Sequence, residues 1–231
     1  MQLKDILERC KDMEIIVTFL KAYKVLNYNL IAFFHFIRLN YFCKNITRTK
    51  GFIYVYPNVQ FKMEDTSKII LGGDLFIGKP LIRGSKYCSR FLMGADSILE
   101  IKNKCDLMEG CDIQIYKNGK MKIDNMHSNI DLEVSCGHYI EIHSDVTIGR
   151  HVRIKDYNGH NVSCNCYPFS APIVIEDHVW LCTGCTINPG VIIGTGAVIA
   201  DNTNVISNIE PKTFNQGNPS IIINKNIEFK I

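Results

Sequence analysis

Residues 173–205 read IVIEDHVWLCTGCTINPGVIIGTGAVIADNTNV, and the spacing within this stretch decides the fold. Ile175, Leu181, Ile187, Ile193, Ile199 and Val205 recur every six residues, and a second ladder runs two positions earlier through Ile173, Val179, Cys185, Val191, Ala197 and Thr203. Like-facing residues two apart make a short strand. A helix would carry a side chain about 240° net around its axis in six residues and scatter the apolar stripe. The period therefore implies six-residue units, three of which close a triangular coil whose inward residues stack on the coils above and below. Gly149, Gly194 and Gly196 are expected at the bends, where glycine adopts positive φ cheaply.

Working upstream, Ile142, Ile148 and Ile154 continue the first ladder in phase, with Ile140, Val146 and Val152 as partners. Earlier still, the pairs Leu75/Ile77, Leu99/Ile101, Ile113/Ile115 and Met121/Ile123 read as looser coils with insertions. Before about Gly51 the spacing becomes helical. Leu3, Ile6, Leu7, Ile15, Ile16, Phe19 and Leu20 predict a helix from Leu3 to Asn27, and Leu30 to Cys43 a second. The expected organisation is a helical extension at 1–51, an all-β solenoid at 52–208 with a loop at 155–172, and a tail at 209–231. Two readings are open for the extension. Its aromatics, Phe33, Phe34, Phe36, Tyr41 and Phe42, pack onto the end of the solenoid, or they lie with Arg38, Lys44, Arg48 and Lys50 against a membrane surface.

The formal charge of +3 over 231 residues lacks the concentrated basic excess of a nucleic-acid binder, and no nucleic-acid partner is expected. Ten cysteines without a compact disulfide framework imply reduced thiols, and the charged and apolar residues alternating from Met1 to Glu8 do not resemble a signal peptide. A cytoplasmic location follows. The apolar stretch Tyr28 to Cys43 is broken by His35, Arg38 and Asn40, too short and too polar to span a bilayer.

Between Ile154 and Ile173 the hexads stop, and a loop thrown out of a regular scaffold is where catalytic groups usually sit. The run from Ile173 to Ile223, with Asn188-Pro189-Gly190 and Gly217-Asn218-Pro219-Ser220, resembles the C-terminal half of the hexapeptide-repeat acetyltransferases, which are left-handed parallel β-helices. The insertion begins Asp156-Tyr157-Asn158-Gly159-His160 and resembles the Asp-x-Asp-Gly-His loop of their polysaccharide and sialic-acid O-acetyltransferase branch.

That resemblance implies acetyl transfer from acetyl-CoA to a sugar hydroxyl, with His160 as general base. A hydroxyl is a poor nucleophile at neutral pH, and an imidazole with an ordinary pKa of about 6.5 is largely neutral and able to take its proton. Asp156 and Asn158 are the local candidates to orient the ring, with Asn158 standing where relatives often carry a second Asp. Trp180 is expected to wall the acetyl and sugar pocket, the alternative being simple core packing, and backbone donors near Thr183 and Gly184 are assigned to the developing oxyanion. The resemblance places the cofactor in a groove between adjacent solenoids of a homotrimer, along Thr183, Gly184, Ala200 and Asp201 and ending at Gly217, Asn218 and Pro219. Cys182 and Ile206-Ser207 depart from the family pattern, which leaves Lys212 or Lys225 as candidates for the cofactor phosphates.

Other constellations carry less. Cys164-x-Cys166 with Cys182-x-x-Cys185 resembles a zinc set, but Cys185 lies on an apolar ladder and the first pair is too close; no metal is expected. Cys105 and Cys111 read as small buried side chains. His138 and His143 are five apart, as in zinc hydratases of this fold, but lack a third ligand; His143 is kept as a substrate contact. His127, His151 and His178 form no constellation in the sequence. Asn45-Ile46-Thr47 and Asn161-Val162-Ser163 match a glycosylation pattern without meaning in the cytoplasm. N-acetylation of a nucleotide-linked amino sugar is the rival activity, and a zinc hydratase or non-catalytic scaffold the rival class.

Overall fold

The computed structural model describes residues 3–160 and 168–230, with side chains from residue 14 onward. The hexads of residues 173–205 form short strands joined by tight bends, and no member of either ladder is more than 1% exposed. Ile175 pairs with Ile193, Leu181 with Ile199 and Ile187 with Val205, all in parallel, so one full turn of the chain takes three hexads. Complete burial of an Ile, Leu or Val stabilises by about 1.5–3 kcal/mol. Stacking the ladders merges these contributions into one core running the length of the molecule.

The strands stack in three columns, visited in the same order on every turn. The first column holds Ile46–Arg48, Lys68–Leu71, the start of Ile98–Met108, the start of Lys120–Ser128, Tyr139–Ile142, Ile173–Ile175 and Ile192–Ile193. The second holds Ile53–Val55, Asp74–Lys79, the later halves of the two long strands, Val146–Ile148, Trp180–Leu181, Val198–Ile199 and Thr213–Gln216. The third holds Val59–Met63, Ser89–Met93, Asp112–Ile115, Glu133–Cys136, Arg153–Lys155, Thr186–Ile187 and Asn204–Val205. The bends between columns form three edges. We term them first (columns one to two), second (two to three) and third (three back to one).

Upstream turns are longer and uneven: Ile69 pairs with Leu99, and Ile101 with Ile123. The apolar pairs expected there are nevertheless buried, none more than 3% exposed. The bends depart from expectation in one respect. Gly196 has positive φ (+71°), but Gly149 and Gly194 do not. Those two are glycine because the next turn lies too close: a Cβ at Gly149 would meet the Thr183 nitrogen at 2.8 Å, and one at Gly194 the Pro211 nitrogen at 2.6 Å. His151 and His178 take left-handed bends instead, each with φ of 55°.

The N-terminal end is closed by helix α1 (Leu3–Val25) and helix α2 (Leu30–Ile37), followed by a π-helical turn at Arg38–Phe42. The first helix stops short of Asn27, because Asn27 and Tyr28 are left-handed. Asn29 then caps α2, accepting from the Ala32 nitrogen at 2.9 Å. Leu39 joins the solenoid core, and Phe36 stacks on Tyr54, which stacks on Phe76. Asn40 ties the cap to the first turn: its amide donates to the Ile53 carbonyl at 2.8 Å and its oxygen accepts from the Ile53 nitrogen at 2.9 Å. The columns begin inside the expected helical extension, at Ile46, and continue into the expected tail. There Ile221–Lys225 folds back antiparallel on Thr213–Gln216.

Candidate functional site

The interrupted turn is the one across which Ile142 pairs with Ile175. Its extra residues leave the solenoid at the third edge through a pinched neck. Tyr157 and Ser170 form an antiparallel bridge, the Asn158 nitrogen donates to the Phe169 carbonyl at 2.9 Å, and the Tyr157 ring packs edge-on against Phe169. His160 follows just beyond this closure and is exposed. Residues 161–167, including Cys164 and Cys166, lie outside the described residues.

Asp156 anchors the neck from below. It is fully buried, and its carboxylate accepts from the backbone nitrogens of Gly137 (2.6 Å), His138 (2.9 Å) and Tyr139 (2.6 Å) on the preceding turn. Burial pushes its carboxyl above the usual range, against the pull of those three N–H donors. Both oxygens are therefore engaged in holding the loop root to the scaffold, with no imidazole among their partners. Asn158 donates its amide to the Pro168 carbonyl at 2.7 Å, and its side-chain oxygen is buried with no hydrogen-bond partner among the described residues. The Ser170 hydroxyl, also in the neck, is likewise buried with no hydrogen-bond partner among the described residues.

The residues matched to the cofactor arm stack at the second edge, on three successive turns. Thr183 and Gly184 follow Trp180–Leu181, Ala200 and Asp201 follow Val198–Ile199, and Gly217, Asn218 and Pro219 follow Thr213–Gln216. A short Asn ladder ties the last turns: Asn188 donates to Asn204 at 2.7 Å and Asn204 to Asn218 at 3.0 Å. The backbone nitrogens assigned to the developing oxyanion have partners within the chain. The Thr183 nitrogen donates to Asp201 at 2.8 Å and the Gly184 nitrogen to the Arg150 carbonyl at 2.8 Å, so both donors are engaged within the chain. Lys225 is paired with Glu210 at 2.6 Å, and Lys212 lies on the first edge, away from the Gly-Asn-Pro turn.

Trp180 is not core. It points outward from the second column, 40% exposed, with the Phe229 ring 5.9 Å away. Phe229 itself stacks on His178 at 4.3 Å, and its carbonyl lies 3.1 Å from His178 Nε2, so the C-terminal segment crosses back over Trp180. His143 sits at the first edge beside a groove of about 370 Å³ lined by Glu100, Lys122, Asp124, Glu141 and Asp177. One chain thus places His160, the cofactor column and His143 on three different edges.

The three histidines without a constellation in the sequence each face an aspartate: His127 Nδ1 lies 3.7 Å from Asp106, His151 Nδ1 lies 3.1 Å from Asp131, and His178 Nδ1 contacts Asp145. In each pair the two residues are separated along the chain by the local length of one turn. Counting by turns is the signal that finds them. Asp106 is further flanked by Lys79 (3.0 Å) and Lys104 (3.6 Å). Burial alone would raise its pKa, but the nearby His127 ring, the hydrogen bond from Lys79 and the charges of both lysines hold it down at about 2. Among the described residues no three His, Cys, Asp or Glu side chains gather to hold a metal. Burial pushes Cys182 up to about 11 and Cys185 up to about 12, values of inert thiols.

No family model matches the chain. Over 58 residues it is 47% identical to a probable macrolide acetyltransferase of Lysinibacillus sphaericus, covering 25% of this chain and 32% of the relative. Over 90 residues it is 32% identical to the putative colanic acid biosynthesis acetyltransferase WcaF of Escherichia coli K12, covering 36% of this chain and 50% of the relative. Its relatives are hexapeptide-repeat acetyltransferases. Matches to these hexapeptide-repeat proteins span a third to a half of the two relatives' own lengths. The crystal structure of the polySia-specific acetyltransferase NeuO superposes with a TM-score of 0.56 at 21% identity, covering 80% of this chain and 88% of that one, a likeness of fold.

Proposed function

We propose that this chain is a left-handed parallel β-helix that transfers an acetyl group from acetyl-CoA to a sugar hydroxyl, as a homotrimer, with His160 as general base. The observation that carries the reading is the pinched neck, which ties Asp156 and Asn158 by hydrogen bonds and presents His160 at the surface of an edge. Acetyl-CoA supplies an activated acyl thioester. The His160 imidazole takes the proton of the acceptor hydroxyl as its oxygen attacks, and the resulting imidazolium is the acid that returns a proton to the departing sulfur. Asn158 orients the ring through its side-chain oxygen, which has no partner among the described residues: it accepts an imidazole N–H and leaves the other nitrogen free as the base. Asp156 acts one step away, fixing the loop root.

The second edge suits an extended thioester arm. Gly184, Ala200 and Gly217 are small, and the exposed Thr183, Asp201 and Asn218 supply polar contacts along it. His160 and this column occupy different edges of one chain, and in this reading a neighbouring copy of a closed cyclic assembly brings them together. Trp180, beside the column, walls the acetyl and sugar pocket, and His143 contacts the acceptor.

The test supplies acetyl-CoA with matched hydroxyl-only and amino-bearing acceptors. The proposal expects a base-labile ester on the hydroxyl-only acceptor. Transfer confined to the amine, as a base-stable amide, would replace it with N-acetylation.

A further inference from the structure

The N-terminal cap leaves an apolar face uncovered. α2 turns Ala32 and Phe36 inward, while Leu30, Ile31 and Phe34 on its other side are 60%, 73% and 65% exposed, and Phe42 in the following turn is 75% exposed. α1 continues the patch with Ile16 and Leu20, 56% and 63% exposed. Between the two helices runs an apolar groove of about 290 Å³. A helix that packs one face on a core normally shows polar residues on the other. Contiguous exposed apolar surface of this kind marks a docking site.

Charge selects the occupant. The four acidic residues of α1 all precede Ile15, beside three basic ones, and from Ile15 to Lys50 the sequence holds six Lys or Arg and no Asp or Glu, against a net charge of only +3 for the whole chain. All six basic residues are exposed. Two such caps facing each other would set like charges around a shared apolar patch, so a second copy of this chain is disfavoured. An anionic bilayer surface satisfies both features, accepting apolar side chains at the level of the acyl boundary and basic ones among its headgroups. No described helix is long and apolar enough to cross a membrane, so contact is interfacial.

We infer that the α1–α2 cap docks this protein onto anionic phospholipid surfaces, with Ile31, Phe34 and Phe42 inserted and the basic residues around them on the headgroups. The inference is independent of the acetyl-transfer reading. Sedimentation of the full-length protein with vesicles of phosphatidylcholine alone, and with vesicles of phosphatidylcholine mixed with phosphatidylglycerol, tests it. The expected result is sedimentation with the anionic vesicles, weakened by salt, and reduced about tenfold or more in Ile31→Ser/Phe34→Ser protein with an unchanged melting temperature. Three results would overturn it: no sedimentation with either vesicle, equal sedimentation with both, or a self-association abolished by the same substitutions without vesicle binding. Phe42→Ser, beyond α2, serves if the double variant does not fold.

Discussion

The downstream turns, from Ile173 to Val205, and the upstream turns, from Ile46 to Ile148, share one core but differ in regularity. Downstream, each turn takes three hexads and every inward position is Ile, Leu, Val or a small residue. Upstream, the lengthened turns carry Met93, Met121 and Met126 inward, and several outward positions are charged, among them Lys68, Glu100, Lys120 and Lys122. Repetition is where packing is optimised, and departures from it are where chemistry appears. The His160 neck and the Asp106 cluster both accompany turns longer than three hexads.

This contrast breaks if the two halves respond alike to truncation. Ile187→Ala, in the regular stack, should cost about 3–5 kcal/mol by chemical denaturation, whereas Met126→Ala should cost nearer to about 2, because flexible neighbours collapse more easily around a lost thioether. Equal losses would mean that the upstream coils are packed as tightly as the downstream ones.

A smaller effect sharpens the charge contrast. The Asp106 pKa, about 2, lies below its ordinary value, so its ionised form stabilises the folded chain. Asp106→Asn should cost about 1–2 kcal/mol at neutral pH. The difference persists down to about pH 4, shrinks as pH falls further and is gone by about pH 2. A penalty that did not change across this window would exclude the ion cluster as its source.

The smallest effect concerns the C-terminal segment. His178 is held above its ordinary pKa by its hydrogen bond to Asp145 and by the Phe229 carbonyl. Its contribution is complete below about pH 6.5 and is lost as pH rises through the raised value. Trp180 is the only tryptophan in the chain, so its emission reports on the tail. Wild-type emission should shift with this transition, and His178→Gln should abolish the shift. A shift retained in the variant would assign it to another group.

Much of the solenoid was legible because burial imposes a strict period on Ile175 through Val205, and the paired spacing of Leu75/Ile77 or Met121/Ile123 survives even where turns lengthen. The His–Asp pairs were not legible, since their partners lie one turn away and the turn length varies. The role of Asp156 was concealed for a related reason: its partners, Gly137 to Tyr139, belong to the previous turn. Gly149 and Gly194 looked like conformational glycines, yet what demands them is the backbone of Thr183 and Pro211 pressing from the next turn. The engagement of the Thr183 and Gly184 nitrogens is likewise a property of stacked turns. Trp180 carried no sequence sign of the tail that packs beside it.

Acetyl transfer and CoA binding measured together on His160→Ala test the central claim most directly. The account predicts unchanged CoA affinity and melting temperature with transfer lowered by about 10²- to 10⁴-fold, the usual contribution of a general base. Turnover equal to wild type would contradict it.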